Sequence, residues 1–110
     1  MNYQIVTINE SPALIFQNLP TQINDLLNLV MDASLTEGIK TIALPVDELA
    51  PAFFTLSSGY AGELLQKLTN YAIHTLIIGD IEHVKKQSKP FNDFVLEANK
   101  GHSINFINML

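Results

Sequence analysis

Three short apolar runs, separated by stretches of helical period, constrain this chain more than any other feature. Ile39 to Leu44, Ile73 to Ile78 and Ile104 to Ile107 have the length and β-former content of strands. Ahead of the first run, Ile23, Leu26, Leu27 and Val30 fall at i, i+3, i+4 and i+7, one face of a helix, with Asn24, Asp25, Asn28 and Asp32 opposite. Ahead of the second, Ala61, Leu64, Leu65, Leu68 and Ala72 repeat that spacing in a helix from about Ser58 to Asn70. Ahead of the third come Phe91, Phe94, Val95 and Ala98. Tyr3 to Ile8 reads as a further strand. The turn chemistry of Asn9-Glu10-Ser11-Pro12 returns it as a hairpin to Ala13–Phe16. Two strands followed by repeated helix–strand units predict an α/β domain. It has a mixed central sheet of about five strands, an N-terminal hairpin, later strands parallel, and helices packed on the sheet. The Leu76-Ile77-Ile78 run predicts a central strand covered on both faces.

Local punctuation places the boundaries. Pro20 and Thr21 open the first helix, and Gly38 stands where a left-handed terminator belongs. Pro51 forbids a long helix between Val46 and Leu56, so one irregular helical turn and a loop are expected there, with Phe53-Phe54 packed inside. A short helical turn is expected over Ile81 to Lys86. Ser88 reads as an N-cap with Pro90 in the first turn, and Lys100-Gly101 ends that helix.

At 110 residues and 47% hydrophobic content, with no linker or repeat, residues 1–110 read as one domain. A chain of this size buries roughly two thirds of its unfolded surface and needs no disulfide or metal to fold. It has no cysteine, which excludes a thiolate zinc site and fits a reducing cytoplasm. No signal peptide and no membrane span are expected. A net charge of −5, with a basic cluster no larger than Lys85-Lys86 and Lys89, argues against nucleic acid as partner. His74, His83 and His102 have no metal-ligand spacing, and no nucleotide-binding fingerprint is present, so neither a metal nor a cofactor is expected.

The chemistry concentrates at Ser57-Ser58-Gly59, just before a helix. A hydroxyl, emerging backbone N–H groups and the positive end of a helix dipole meet there, an arrangement suited to a phosphate, bound or covalent. The plain alternative is an N-cap contributing about 1 kcal/mol. Glu63, Gln66, Lys67 and Asn70 share the outer face of the same helix. They read as a partner-docking surface or as a solvated face with one i, i+4 ion pair. Gly62 inside the helix costs about 1 kcal/mol relative to Ala, which signals close approach of another backbone or a ligand. Asp47 and Asp80 follow strands, at the edge where open α/β sheets hold ligands, and Glu97 and Asn99 join them as rim candidates. A Ser58–His83–Asp80 hydrolytic trio lacks the Gly-x-Ser-x-Gly elbow, so no catalytic residue is assigned.

Phe53-Phe54, Ala61-Gly62-Glu63, Leu65-Gln66-Lys67, Asn70-Tyr71, Gly79-Asp80 and Glu97 with Asn99-Lys100-Gly101 together resemble the bacterial domain of unknown function 4180 family, for which no activity is implied. More distantly, Ser57-Ser58-Gly59 before a helix is similar to the STAS fold of anti-sigma-factor antagonists, with Leu56 where that family has Asp. That resemblance implies a STAS-like domain whose hydroxyl is phosphorylated by a kinase. The reading is therefore a non-catalytic regulatory or protein-interaction domain of the bacterial cytoplasm, with an unidentified protein partner. Two other readings stand beside it. One is a small-ligand or minor enzymatic domain using the rim near Asp47, Ser58 and Asp80. The other is a homo-oligomer joined through the apolar C-terminal Phe106 to Leu110.

Overall fold

The computed structural model describes residues 2–108, so Met109 and Leu110, the end of that apolar C-terminal stretch, lie outside the described residues. A two-residue turn at Asn9-Glu10, both at positive φ (51° and 68°), joins strands β1 (Tyr3–Ile8) and β2 (Ser11–Phe16). Positive φ at both turn residues matches the right-handed twist of a hairpin. The hairpin is therefore longer than expected, because Ser11 and Pro12 pair with Ile8 and Thr7 instead of forming the turn. Pro12 is tolerated because β3 (Thr41–Pro45) pairs with β2 only at Leu14 and Ile15, so no ladder bond needs its missing N–H.

From there the chain repeats one unit. Helix α1 (Ile23–Glu37) leads to β3, α2 (Tyr60–Asn70) to β4 (His74–Ile78), and α3 (Glu82–Gln87) with α4 (Lys89–Lys100) to β5 (Ile104–Ile107). The sheet order is β1-β2-β3-β4-β5, antiparallel at β1–β2 and parallel thereafter. The expected mixed sheet with helices packed on it is what forms. Among the described residues, no helix is long and apolar enough to cross a membrane.

Sequential strand order sends each crossover the same way, so the helices gather on one face. Leu14, Phe16, Ile42, Leu44, Ile77 and Phe106 point to that face and join Leu26, Val30, Leu64, Leu68, Phe91 and Val95 in one core cluster. Ala13, Ala43 and Leu76 are also buried, yet stand outside the cluster, on the reverse face. The coverage expected on both sides of β4 is thus met on one side by helices. On the other, Leu76 is buried without joining that cluster.

The C-terminal end of α1 and the N-terminal end of α4 follow their chemistry, whereas α1 begins at Ile23 after Gln22, which caps nothing with its side chain, and not at the expected Pro20-Thr21 opening. Gly38 is left-handed (φ 69°), and its N–H and that of Ile39 both reach the Ser34 carbonyl. Ser88 Oγ accepts from the Phe91 amide at 3.2 Å, the expected cap. Gly101 ends α4 in an extended conformation instead of a left-handed one. Ala72, expected on the inner face of α2, lies past its end, exposed and at φ +61°. It takes the position of a terminating glycine, with its N–H on Thr69 and that of Ile73 on Leu68. The Val46–Leu56 region is more regular than one turn and a loop. It forms three 3-10 turns, Val46–Glu48, Pro51–Phe54 and Leu56–Ser58. Phe53 drives that segment inward. It is fully buried and edge-on to Phe54 and Tyr60, with centroids at 5.2 and 6.5 Å, and lies 6.4 Å from Phe106.

Candidate functional site

The 3-10 segment delivers Ser57, Ser58 and Gly59 to the carboxyl-end rim of the sheet, all three exposed. Gly59 occupies the residue before α2 at φ +79°, and no side chain caps α2 from that position. Ser58 is therefore one residue too early for the expected N-cap and belongs to the preceding turn. Its hydroxyl donates to the Ala52 carbonyl at 2.7 Å and accepts from the Tyr60 amide at 3.2 Å. One oxygen thus ties the first turn of α2 to the Pro51–Phe54 turn. Tyr60 adds a second tie, donating from its hydroxyl to the Thr21 carbonyl at 2.8 Å. Burial pushes that phenol above its usual pKa.

The outer face of α2 is exposed and internally paired. Lys67 Nζ meets Glu63 at 3.0 Å, and Gln66 donates to Asn70 at 3.0 Å. Exposed i, i+4 pairs of this kind contribute about 0.3–0.5 kcal/mol each, so they order the surface more than they stabilise it.

The rim candidates separate into two groups. Asp47 and Asp80 do come together, with His83, around a hollow of about 180 Å³ floored by Val46, Phe54, Ile81 and Val84. Asp80 Oδ1 accepts from the Glu82 amide at 3.0 Å and shapes the entry to α3. Ser58 does not line this hollow, so the Ser58–His83–Asp80 trio does not assemble. Ser57 instead lines a neighbouring hollow of about 510 Å³ with Thr55, Gln87 and Ser88, and the two hollows share Phe54 and Val84 as a wall. No group of three His, Asp or Glu placed to hold a metal occurs among the described residues.

Glu97 and Asn99 belong elsewhere, because α4 runs back from the rim towards the start of β5. Glu97 pairs with Lys100 at 3.4 Å. Asn99 clasps the outward backbone of β5, donating to the Phe106 carbonyl at 3.3 Å and accepting from its N–H at 2.7 Å. β5 is an edge strand, and this one amide satisfies both outward groups of Phe106 as a further strand would. Sequence reading missed that role, since no local spacing links a helix-end Asn to a strand seven residues on.

No other backbone makes the close approach expected at Gly62. A Cβ built there meets nothing within 4 Å, and Gly62 instead lines a groove of about 300 Å³ between α2 and α4, with Gln66, Thr69, Phe94 and Glu97. Gly62→Ala is expected to stabilise the protein by about 1 kcal/mol through helix propensity. Urea unfolding checks this, and a lower midpoint would mean that something presses on that groove.

No curated protein and no solved structure matches the chain. The family model described as Domain of unknown function (DUF4180) matches residues 2–110, nearly the whole chain, and the protein belongs to that family.

Proposed function

We propose that this is a non-catalytic, STAS-like regulatory domain of the bacterial cytoplasm that binds a protein partner through the start and outer face of α2, with Ser58 as its switch. The observation that carries the reading is the pair of hydrogen bonds at one exposed hydroxyl, donated to the Ala52 carbonyl and accepted from the Tyr60 amide. A kinase that transfers a phosphoryl group from a nucleoside triphosphate to Ser58 Oγ removes the hydroxyl proton. The ester oxygen can no longer donate to Ala52, so the tie to the turn carrying Phe53 and Phe54 opens. The new group adds about −1.5 to −2 charges beside the positive end of α2, which favours an anion by roughly 0.3–1 kcal/mol. The fold tolerates that charge, whereas a partner pressed against Ser57-Ser58-Gly59 and the Glu63, Gln66, Lys67, Asn70 face is displaced by it.

A second reading uses the rim. The wall of Phe54 and Val84 shared by the two hollows would let a small molecule held near Asp47 and Asp80 be felt at Ser57. One experiment separates the two. The wild type, Ser58→Ala and Ser58→Glu are recovered from the native host, with intact mass measured on each and the associated proteins compared. The switch reading expects one phosphoryl group on the wild type, none on Ser58→Ala, and partner loss in Ser58→Glu. Identical partners in equal amounts from all three would end it. An unmodified chain carrying a tightly held small molecule would favour the rim.

A further inference from the structure

Helices α1 and α2 are neighbours in the helix layer and leave a cleft of about 530 Å³ between them. From α1 it is lined by Asn24, Asn28 and Met31, at i, i+4 and i+7 on one stripe of the helix, with the buried Leu27. From the α2 side it is lined by Lys67, Asn70 and Tyr71. The volume is that of a binding cleft. The lining is unlike an ordinary seam between helices, where apolar side chains meet. Three of its seven residues are asparagines.

Those carboxamides are unspent. Among the described residues Asn24 and Asn28 make no hydrogen bond. Asn70 has only its oxygen engaged, by Gln66 at 3.0 Å, so its amino group remains to donate. Elsewhere in this protein the same side chain serves the main chain. Asn99 accepts from the Phe106 N–H at 2.7 Å and donates to its carbonyl at 3.3 Å, standing in for a neighbouring strand. Asn105 donates to the Gly101 carbonyl at 3.2 Å, and Asn2 to that of Asn18 at 3.2 Å. A carboxamide carries the donor and acceptor of a peptide group, so it can complete an extended backbone at either one. Lys67, the one charged residue in the lining, is already held by Glu63 at 3.0 Å, which leaves recognition to the amides.

We propose that the α1–α2 cleft binds an extended peptide segment of a partner protein, with Asn24, Asn28 and Asn70 bonded to its main chain. An extended segment turns alternate side chains to opposite sides. One set lies against Leu27, Met31 and the ring of Tyr71, itself 54% exposed, and the other faces solvent. The segment therefore carries apolar residues at every second position. This rests on the reading that the outer face of α2 meets a protein, because Lys67 and Asn70 belong to that face. It does not rest on phosphorylation of Ser58.

Panning a phage library of random eight-residue linear peptides against the full chain tests this. The enriched peptides are expected to carry apolar residues at alternate positions. A synthetic copy of the strongest binder, titrated by calorimetry, is expected to bind the Asn24→Ala/Asn28→Ala double variant about tenfold more weakly, through loss of two amide hydrogen bonds. Alanine raises helix propensity at both positions, so the variant keeps its fold, checked by far-UV circular dichroism. Asn92→Ala, on α4 and outside the cleft, is expected to leave the Kd unchanged. N-methylation of the peptide backbone, which keeps the side chains and removes the donors, is expected to abolish binding. A library that yields no peptide sensitive to the double variant overturns the proposal, and so does a peptide that binds equally after N-methylation. Failure of the switch is told apart from failure of the cleft. A chain unmodified in its host that still binds the peptide ends the switch and keeps the cleft. A host partner lost from Ser58→Glu but retained by the double variant keeps the switch and ends the cleft.

Discussion

Phe53→Ala is expected to lower the unfolding free energy by about 4 kcal/mol, within the range for removing a fully buried aromatic side chain. Phe53 is 0% exposed and is the one buried residue of the Pro51–Phe54 turn. Its ring touches Phe54, Tyr60 and Phe106, so it joins the rim segment to α2 and to the edge strand β5. A loss of that size is a large part of the 5–15 kcal/mol that holds a domain of this kind folded. Urea denaturation checks it through the midpoint. Phe54→Ala, at a half-buried ring, serves as the comparison and should cost less. A drop below about 1 kcal/mol for Phe53→Ala would show that the ring does not fill the space described. Amide exchange over residues 51–58 should also quicken, because the turn that Ser58 clasps loses its anchor.

Gly79→Ala carries the second large effect. Gly79 closes β4 at φ +139°, a conformation closed to L side chains, and an added Cβ would overlap Val46 Cγ2 and lie 3.3 Å from Val46 Cβ. Backbone strain and overpacking together are expected to cost about 3 kcal/mol or more. The displaced Val46 floors the hollow between Asp47 and Asp80, so the damage falls on the rim as well as on stability. Thermal or urea unfolding of Gly79→Ala, Val46→Ala and the double variant separates the two causes. The double variant should regain the overlap part and keep the strain part. A Gly79→Ala protein as stable as the wild type would refute the described backbone at the end of β4.

The elements were legible because their signals are local. The i, i+3, i+4, i+7 spacing of Ile23 to Val30 shows the α1 face whatever surrounds it, and Ser88-Pro90 announces α4 through chemistry confined to one turn. The errors fall where tertiary contacts outweigh propensity. Ala72 fits the spacing of α2, yet it is held left-handed past the end by its own N–H bond to Thr69 and that of Ile73 to Leu68. Gly62 announced a contact by its cost, yet it faces an open groove. Ser57-Ser58-Gly59 announces a helix start by residue type, yet the hydroxyl falls one residue before the cap position, because the left-handed Gly59 stands between it and the helix.

Residue order along the chain dictated which segments are strands, which are helices, and that a mixed α/β sheet results, since periodicity and capping act within a few residues. Packing settled the rest: that all helices crowd onto one face, that Asp47 and Asp80 meet while Ser58, Glu97 and Asn99 do not join them, and that Ser58 bonds Ala52. Those outcomes depend on the direction of each crossover and on backbone groups far apart in the chain, which no local pattern encodes.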